Sequence, residues 1–266
     1  MIVDFHTHLF NRIDDGADCM NTTKNMLHKS LHHGVDAVLF TSHCYPVSPE
    51  DIEKFLHKRE KQKAYFRYKP EWGDEPFTDV PKMYFDGCEV HLTGDISRFP
   101  NIKDLCIEKT DYMLLEMPMK MWTDETVENV YKLTLKGIKP IIAHDERNVH
   151  QRMELRNALY ELDVLIQINA PSLSMKEYKK DIDRLFSIGM AHVIGTDMHN
   201  LTSRPPCMEE ARKIIKKRYG RECWQYLHNN ATRILAGETI SYRDLRSFKK
   251  LSPLSAEALN WRKPLK

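Results

Sequence analysis

Short runs of β-branched and apolar residues alternate along this chain with longer stretches in which apolar side chains recur at helical spacing. The short runs predict strands near 2–5, 35–41, 84–90, 112–116, 139–143, 164–169 and 192–196. Between them, the longer period predicts helices over 20–33, 50–66, 123–136, 151–162, 174–188 and 207–219. Thr123 and Ser174 stand where N-caps belong, and Gly34, Gly137 and Gly189 stand where a left-handed residue would stop a helix. Strand and helix in repeated alternation imply an α/β fold with a mainly parallel sheet, and seven strands come close to closing a barrel. Barrels of this kind open all their strand C-termini on one face, so an active site should collect residues from strand ends. The stretch 67–83 holds three prolines and no clear period, which predicts a long loop, and the segment after 236 is polar with scattered apolar residues.

The remaining bulk properties mostly exclude. At 266 residues the chain is long enough for a substantial core. Its 40 basic and 38 acidic residues interleave to a net charge of +2, which leaves no electrostatic footprint for nucleic acid. Apolar runs such as Val35–Phe40 and Ile138–Ala143 are too short to span a bilayer. The start, MIVDFHTH, lacks the basic residues and long apolar stretch of a secretory signal, so the expected compartment is the cytoplasm, with no direct membrane insertion. The six cysteines are scattered without a C-x-x-C pair and are expected as free thiols. Cysteine-phosphatase chemistry needs C-x5-R, and the closest start, His43-Cys44, meets Glu50 where the arginine would stand.

Histidine changes the picture. There are thirteen, and many lie at strand ends. The first strand ends in His6-Thr7-His8, the second in Ser42-His43, the third in Glu89, the fourth in Glu116, the fifth in His144 and the seventh in Asp197-Met198-His199. Imidazole and carboxylate both suit a divalent metal, and residues two apart at a strand rim can converge on one cluster. Burying this many polar groups together without a cation would leave charge uncompensated. Asp15, in the Asp14-Asp15-Gly16 turn, is positioned to reach back to the cluster. Arg147 and Arg204 follow His144 and His199 in loops on the same face, and guanidinium matches phosphate oxygens. From these residues the expectation is a metal-dependent phosphoester hydrolase.

The same residues resemble the PHP (polymerase and histidinol phosphatase) superfamily, and within it the bacterial manganese-dependent protein-tyrosine phosphatases of capsule and exopolysaccharide operons, the CpsB/YwqE type. The likeness runs over residues 1–236 and rests on DFHTH at 4–8, DDG at 14–16, TSH at 41–43, GCEVH at 87–91, AHDER at 143–147, DMHNLTSRPP at 197–206 and NNATRIL at 229–235. The resemblance implies a distorted (β/α)7 TIM-like barrel over 1–236, with 237–266 as a C-terminal extension. It further implies three divalent ions, Mn foremost with Fe, Zn or Co as alternatives. His6, His8, Glu89 and Asp197 would hold the first ion, Glu89, Glu116 and His144 the second, and Asp15, His43 and His199 the third. Arg147 and Arg204 would bind phosphate, and the substrate would be a phosphotyrosyl protein, by analogy the tail of a bacterial tyrosine kinase. The segment after Glu89 reads VHLTGD rather than a Tyr-rich stretch, a departure from the family pattern. The competing expectations are a small-molecule phosphatase of histidinol-phosphatase type, an amidohydrolase with a lysine bridging two metals, and a non-catalytic PHP regulatory module. No lysine sits at the bridging strand ends and no gap in the ligand set is visible. His91 and Asp145 are the candidate proton donors to a leaving group.

Overall fold

The computed structural model describes residues 1–67 and 83–240. Apart from its end residues, the loop expected over 67–83 lies outside the described residues, as does the C-terminal extension from 241 onward. No helix among the described residues is long and apolar enough to cross a membrane.

The strands are β1 (Val3–Thr7), β2 (Ala37–Phe40), β3 (His43–Cys44), β4 (Met83–Asp86), β5 (Glu89–His91), β6 (Tyr112–Glu116), β7 (Lys139–Ile142), β8 (Leu165–Asn169) and β9 (Val193–Gly195). Every ladder between them is parallel. One sheet runs β1-β2-β4 and the other β3-β5-β6-β7-β8-β9. The strand expected at 84–90 is therefore broken in two at Gly87-Cys88, and the one expected at 35–41 is shortened to β2 and followed, after Thr41-Ser42, by the separate β3. Pairing continues across the break, with the Gly87 N–H on the Phe40 carbonyl at 2.9 Å and the Glu89 N–H on the Thr41 carbonyl at 3.1 Å.

The curl brings β9 back beside β1. The Asp197 N–H donates to the His6 carbonyl at 2.7 Å and the His8 N–H to the Met198 carbonyl at 2.9 Å. This seam requires Gly195, since a Cβ there would stand 2.3 Å from the His6 Cβ. Asp4 stitches the same seam, accepting from the Thr196 N–H at 2.8 Å and hydroxyl at 2.6 Å, and burial pushes its carboxyl up to about 6.

Around the curled sheet lie α1 (Met20–His32), α2 (Pro49–Arg67), α3 (Asp124–Leu135), α4 (Met153–Tyr160), α5 (Lys176–Ser187), α6 (Met208–Arg218) and α7 (Arg221–Leu235). Gly34, Gly137 and Gly189 take φ of 81°, 76° and 74°, the left-handed stops that the sequence predicts. Thr123 opens α3, its N–H bonded to the Thr126 hydroxyl at 3.1 Å. Ser174 does not cap α5: Met175 precedes the helix, and the Ser174 hydroxyl donates to the Pro171 carbonyl at 2.9 Å within a separate turn. Helix α7 escapes sequence reading because its apolar stripe of Leu227, Ala231 and Ile234 is interleaved with His228 and Asn230, which are themselves buried. His228 takes the Val3 N–H on Nδ1 at 3.1 Å, and burial drops its pKa to about 3.

Side-chain alternation layers the interior. Val3, Phe5, Ala37, Leu39, Leu114, Ile141, Leu165 and Val193 form one apolar cluster. Ile240 belongs to that cluster, its N–H donating to the Tyr112 hydroxyl at 2.7 Å, so this one side chain packs on the floor of the barrel. Toward the strand C-termini the inward positions turn polar. On β6, Tyr112 and Leu114 are followed at the same parity by Glu116, and on β8, Leu165 is followed by Gln167 and Asn169. Strand β1 obeys a different rule. Its register against β2 shifts between Asp4 and Thr7, and this irregularity turns His6 and His8 toward the axis although Phe5 already faces it.

Candidate metal centre

The nine residues singled out by pattern converge. His6 Nε2 lies 3.0 Å from Glu89 Oε2, 3.6 Å from Asp197 Oδ1 and 3.0 Å from His8 Nε2. His8 Nε2 is 3.3 Å from both Glu89 Oε2 and Asp197 Oδ1. His144 Nε2 sits 2.7 Å from Glu89 Oε1 and 3.9 Å from Glu116 Oε1. Asp15 Oδ1 stands 3.2 Å from His199 Nε2 and 3.6 Å from His43 Nε2. Their donor atoms form three overlapping groups able to hold an ion: His6, His8, Glu89 and Asp197; His8, Asp15, His43 and His199; and His43, Glu89 and Glu116. The first coincides with an expected set. The others differ in detail, since His8 joins the Asp15 group and His43, rather than His144, joins the two glutamates.

The ring orientations explain why these groups suit a cation. His6 Nδ1 faces Gln167 Oε1 at 3.1 Å, His8 Nδ1 faces Asp14 Oδ2 at 2.7 Å and His199 Nδ1 faces the Asp197 carbonyl at 2.9 Å. Each partner accepts, which assigns the proton to Nδ1 and turns the Nε2 lone pair into the cluster. Lone pairs of His6 and His8 thus meet each other and two carboxylates. His199 Nε2 and His43 Nδ1 are buried without a hydrogen-bond partner, the latter although Glu89 Oε2 is 3.0 Å away. Such a convergence of acceptors repels itself unless a proton or a metal ion enters. Protonation preferences register this strain. Burial opposes charge on His6, but Glu89 and Asp197 outweigh it and raise its pKa. Burial likewise opposes charge on His8, and Asp14, Asp197 and Glu89 raise it well above its ordinary value. His43, in contrast, is lowered, mainly by desolvation. Divalent ions fit this donor set of imidazole nitrogens and carboxylate oxygens.

Backbone geometry contributes as well. His144 (φ 34°) and Asp197 (φ 55°) are both left-handed and neither is glycine, a conformation costing about 1 kcal/mol or more that clusters at functional sites. Arg147 and Arg204 are brought together by Asp197: Arg147 Nη2 donates to Oδ2 at 2.7 Å and Arg204 Nη2 to Oδ1 at 2.6 Å. Both arginine side chains remain partly open, 29% and 35% exposed, as a group that meets a ligand must be.

Sequence reasoning missed the residues that aim the ligands. Asp14 accepts from His8 Nδ1, the His43 N–H at 2.8 Å and the Gly16 N–H at 3.0 Å, and these bonds hold its carboxyl far below the usual range against burial, which raises it. The Asp-Asp-Gly pattern did carry a signal, since an Asp two residues before a Gly commonly makes this turn. Gly16 is fixed by space: a Cβ there would stand 2.3 Å from the His8 carbonyl oxygen. Strand β8, without a predicted ligand, supplies Gln167, which also takes the His144 N–H at 2.8 Å, and Asn169, which donates to Asp197 Oδ2 at 3.0 Å. Of the two candidate proton donors, His91 lies 2.8 Å from Glu116 at the rim. Asp145 is fully buried, 2.6 Å from Arg156 and bonded to the Tyr160 hydroxyl, so it is a structural group and cannot reach a substrate.

Comparison with known proteins agrees on fold and lineage. A chain among the crystal structures of YwqE from Bacillus subtilis and CpsB from Streptococcus pneumoniae, described as unique metal-dependent tyrosine phosphatases, superposes with a TM-score of 0.72 at 24% identity, covering 90% of this chain and 96% of that one. In sequence, the chain is 29% identical over 235 residues to the tyrosine-protein phosphatase CpsB of Streptococcus pneumoniae, covering 82% of this chain and 91% of the relative. It is 26% identical over 249 residues to the tyrosine-protein phosphatase YwqE of Bacillus subtilis, covering 90% and 93%. The family model described as capsular polysaccharide synthesis, CpsB/CapC, matches residues 2–236, and the chain belongs to that family.

Proposed function

We propose that this protein is a metal-dependent phosphatase that hydrolyses phosphotyrosine on protein. The observation that carries the reading is the convergence of His6 Nε2 and His8 Nε2, whose rings are held through Nδ1 by Gln167 and Asp14, on Glu89 Oε2 and Asp197 Oδ1. The relatives named tyrosine-protein phosphatase span nearly the same length, which supports the substrate class. His6, His8, Asp15, His43, Glu89, Glu116, His144, Asp197 and His199 are the proposed ligands of three divalent ions, Mn first among them.

When bound, such ions supply a Lewis acid for the phosphoryl oxygens and a water acidified enough to attack phosphorus. The chain's own residues do the rest. Glu89 belongs to two of the groups and would help to hold an ion in each. Arg147 and Arg204 leave Asp197 in part to fork the phosphoryl oxygens and stabilise the charge that develops in line. Water attacks phosphorus, the P–O bond to the phenol breaks, and the products are inorganic phosphate and tyrosine. His91, on the rim beside Glu116, is the remaining candidate to give the departing phenolate its proton. By family, the substrate proposed is a bacterial tyrosine kinase that acts in capsular or exopolysaccharide synthesis, dephosphorylated at its tail.

The test is metal analysis of purified protein followed by turnover of a phosphotyrosyl peptide with Mn added or chelator present. Bound divalent metal and Mn-dependent release of phosphate are expected. Full activity of chelated, metal-free protein would remove the reading.

A further inference from the structure

Tyr45 follows directly on β3 and is 54% exposed. An exposed aromatic usually needs no explanation, but the position of this one is unusual. Its ring centroid is 5.4 Å from that of His43 on one side and 5.4 Å from that of His91 on another. Among the described residues, the other exposed aromatics, Tyr84 and Tyr131, lie on β4 and α3. Tyr45 therefore stands at the mouth of the candidate metal centre, between a proposed ligand and the histidine that bonds Glu116.

The segment carrying it is held on both sides. The Thr93 hydroxyl donates to the Pro46 carbonyl. Asp51 Oδ2 accepts from the Ser48 N–H at 3.0 Å and hydroxyl at 3.0 Å, and the Asn101 amide donates to the Pro49 carbonyl at 3.0 Å. The backbone that follows the ring is thus anchored before any ligand arrives, which lowers the entropy lost on stacking. The ring is half exposed beside His43 and His91, so part of it is open to a ligand at the mouth of the site.

We propose that Tyr45 is the wall on which the ring of an aryl phosphomonoester stacks, and that it sets the preference of this site for aryl over alkyl phosphates. The inference rests on the phosphatase reading above and adds a specificity residue to it. Offset or edge-to-face aromatic pairs contribute about three- to tenfold in binding. A purely structural role, covering His43 and His91, would weaken hydrolysis of all phosphomonoesters alike.

The experiment compares kcat/KM for a phosphotyrosyl peptide and for glycerol phosphate in the Mn-loaded wild type, Tyr45→Ala and Tyr45→Phe, with metal content measured for each. In Tyr45→Ala the aryl-to-alkyl ratio should fall about three- to tenfold, chiefly through KM for the peptide, and Tyr45→Phe should restore it. An unchanged ratio in Tyr45→Ala, whether or not both rates drop, overturns the proposal while leaving the phosphatase reading intact. Wild-type protein that turns over neither substrate removes both.

Discussion

Two buried ionic clusters lie within a few residues of each other in this protein, and they are built on opposite principles. In one, Arg156 is fully buried and bonds Asp145 at 2.6 Å and Asp181 at 2.8 Å, with the Tyr160 hydroxyl and Arg184 completing the set. Its two carboxylates face two guanidiniums, so it balances itself. In the other, Asp14, Glu89, Glu116 and Asp197, with the exposed Asp15 at the rim, face among the described residues only the guanidiniums of Arg147 and Arg204, and the intervening imidazoles present lone pairs. That cluster is complete only with cations from outside. Charge balance thus separates a strut from a site where composition does not, since both use the same residue types. The strut also serves the site: Asp145 and Arg156 fasten the turn Asp145–Asn148, which carries Arg147 and follows His144.

The sharpest way to break this contrast is to injure each cluster alone. His144→Ala should cost more than about 100-fold in hydrolysis of a phosphotyrosyl peptide, since even partners of metal ligands typically cost 10- to 100-fold. It should also lower the metal content, while the thermal midpoint of chelated protein stays close to wild type; unaltered turnover would exclude His144 from the site. The reverse pattern is expected of Arg156→Met. Removing the one cation that holds both Asp145 and Asp181 leaves them buried without it, a loss of about 3–5 kcal/mol in urea unfolding, with bound metal per folded protein unchanged. A stability loss below about 1 kcal/mol would show that this cluster is not the strut described here.

A smaller effect sharpens the comparison by controlling for acid. His192 and His228 belong to neither cluster, and burial pushes both down to about 3. An unfolded chain protonates these rings near 6.5 while the folded one keeps them neutral, so stability falls as pH drops from about 6.5 toward 3 and levels off below. Between pH 7 and pH 5 each ring should cost about 2 kcal/mol in chelated protein. Urea titrations of wild type and of His192→Gln at both pH values check this, and an equal acid loss in the two proteins would contradict it.

The alternating pattern was legible because strand and helix periods are local properties. It marked all seven strand paths and six helices, and the strand-end residues that converge stood out by type alone. What stayed hidden was set by packing at a distance. Helix α7 reads as polar until His228 finds the Val3 N–H, and Gln167 looks like an ordinary strand residue until it meets both His6 and His144. Asp145 looked available beside His144 and proved buried against Arg156.

By itself, the sequence determined the α/β alternation, the glycine stops and the inventory of imidazoles and carboxylates at strand ends, because each depends on residues within one or two turns of chain. Only the tertiary structure decided which nitrogen of each ring faces inward, that β1 shifts register so His6 and His8 face the axis, and which carboxylate is a strut. Those outcomes depend on partners such as Asp14, Gln167 and Arg156 arriving from other elements, where burial makes an unmatched charge too costly to keep.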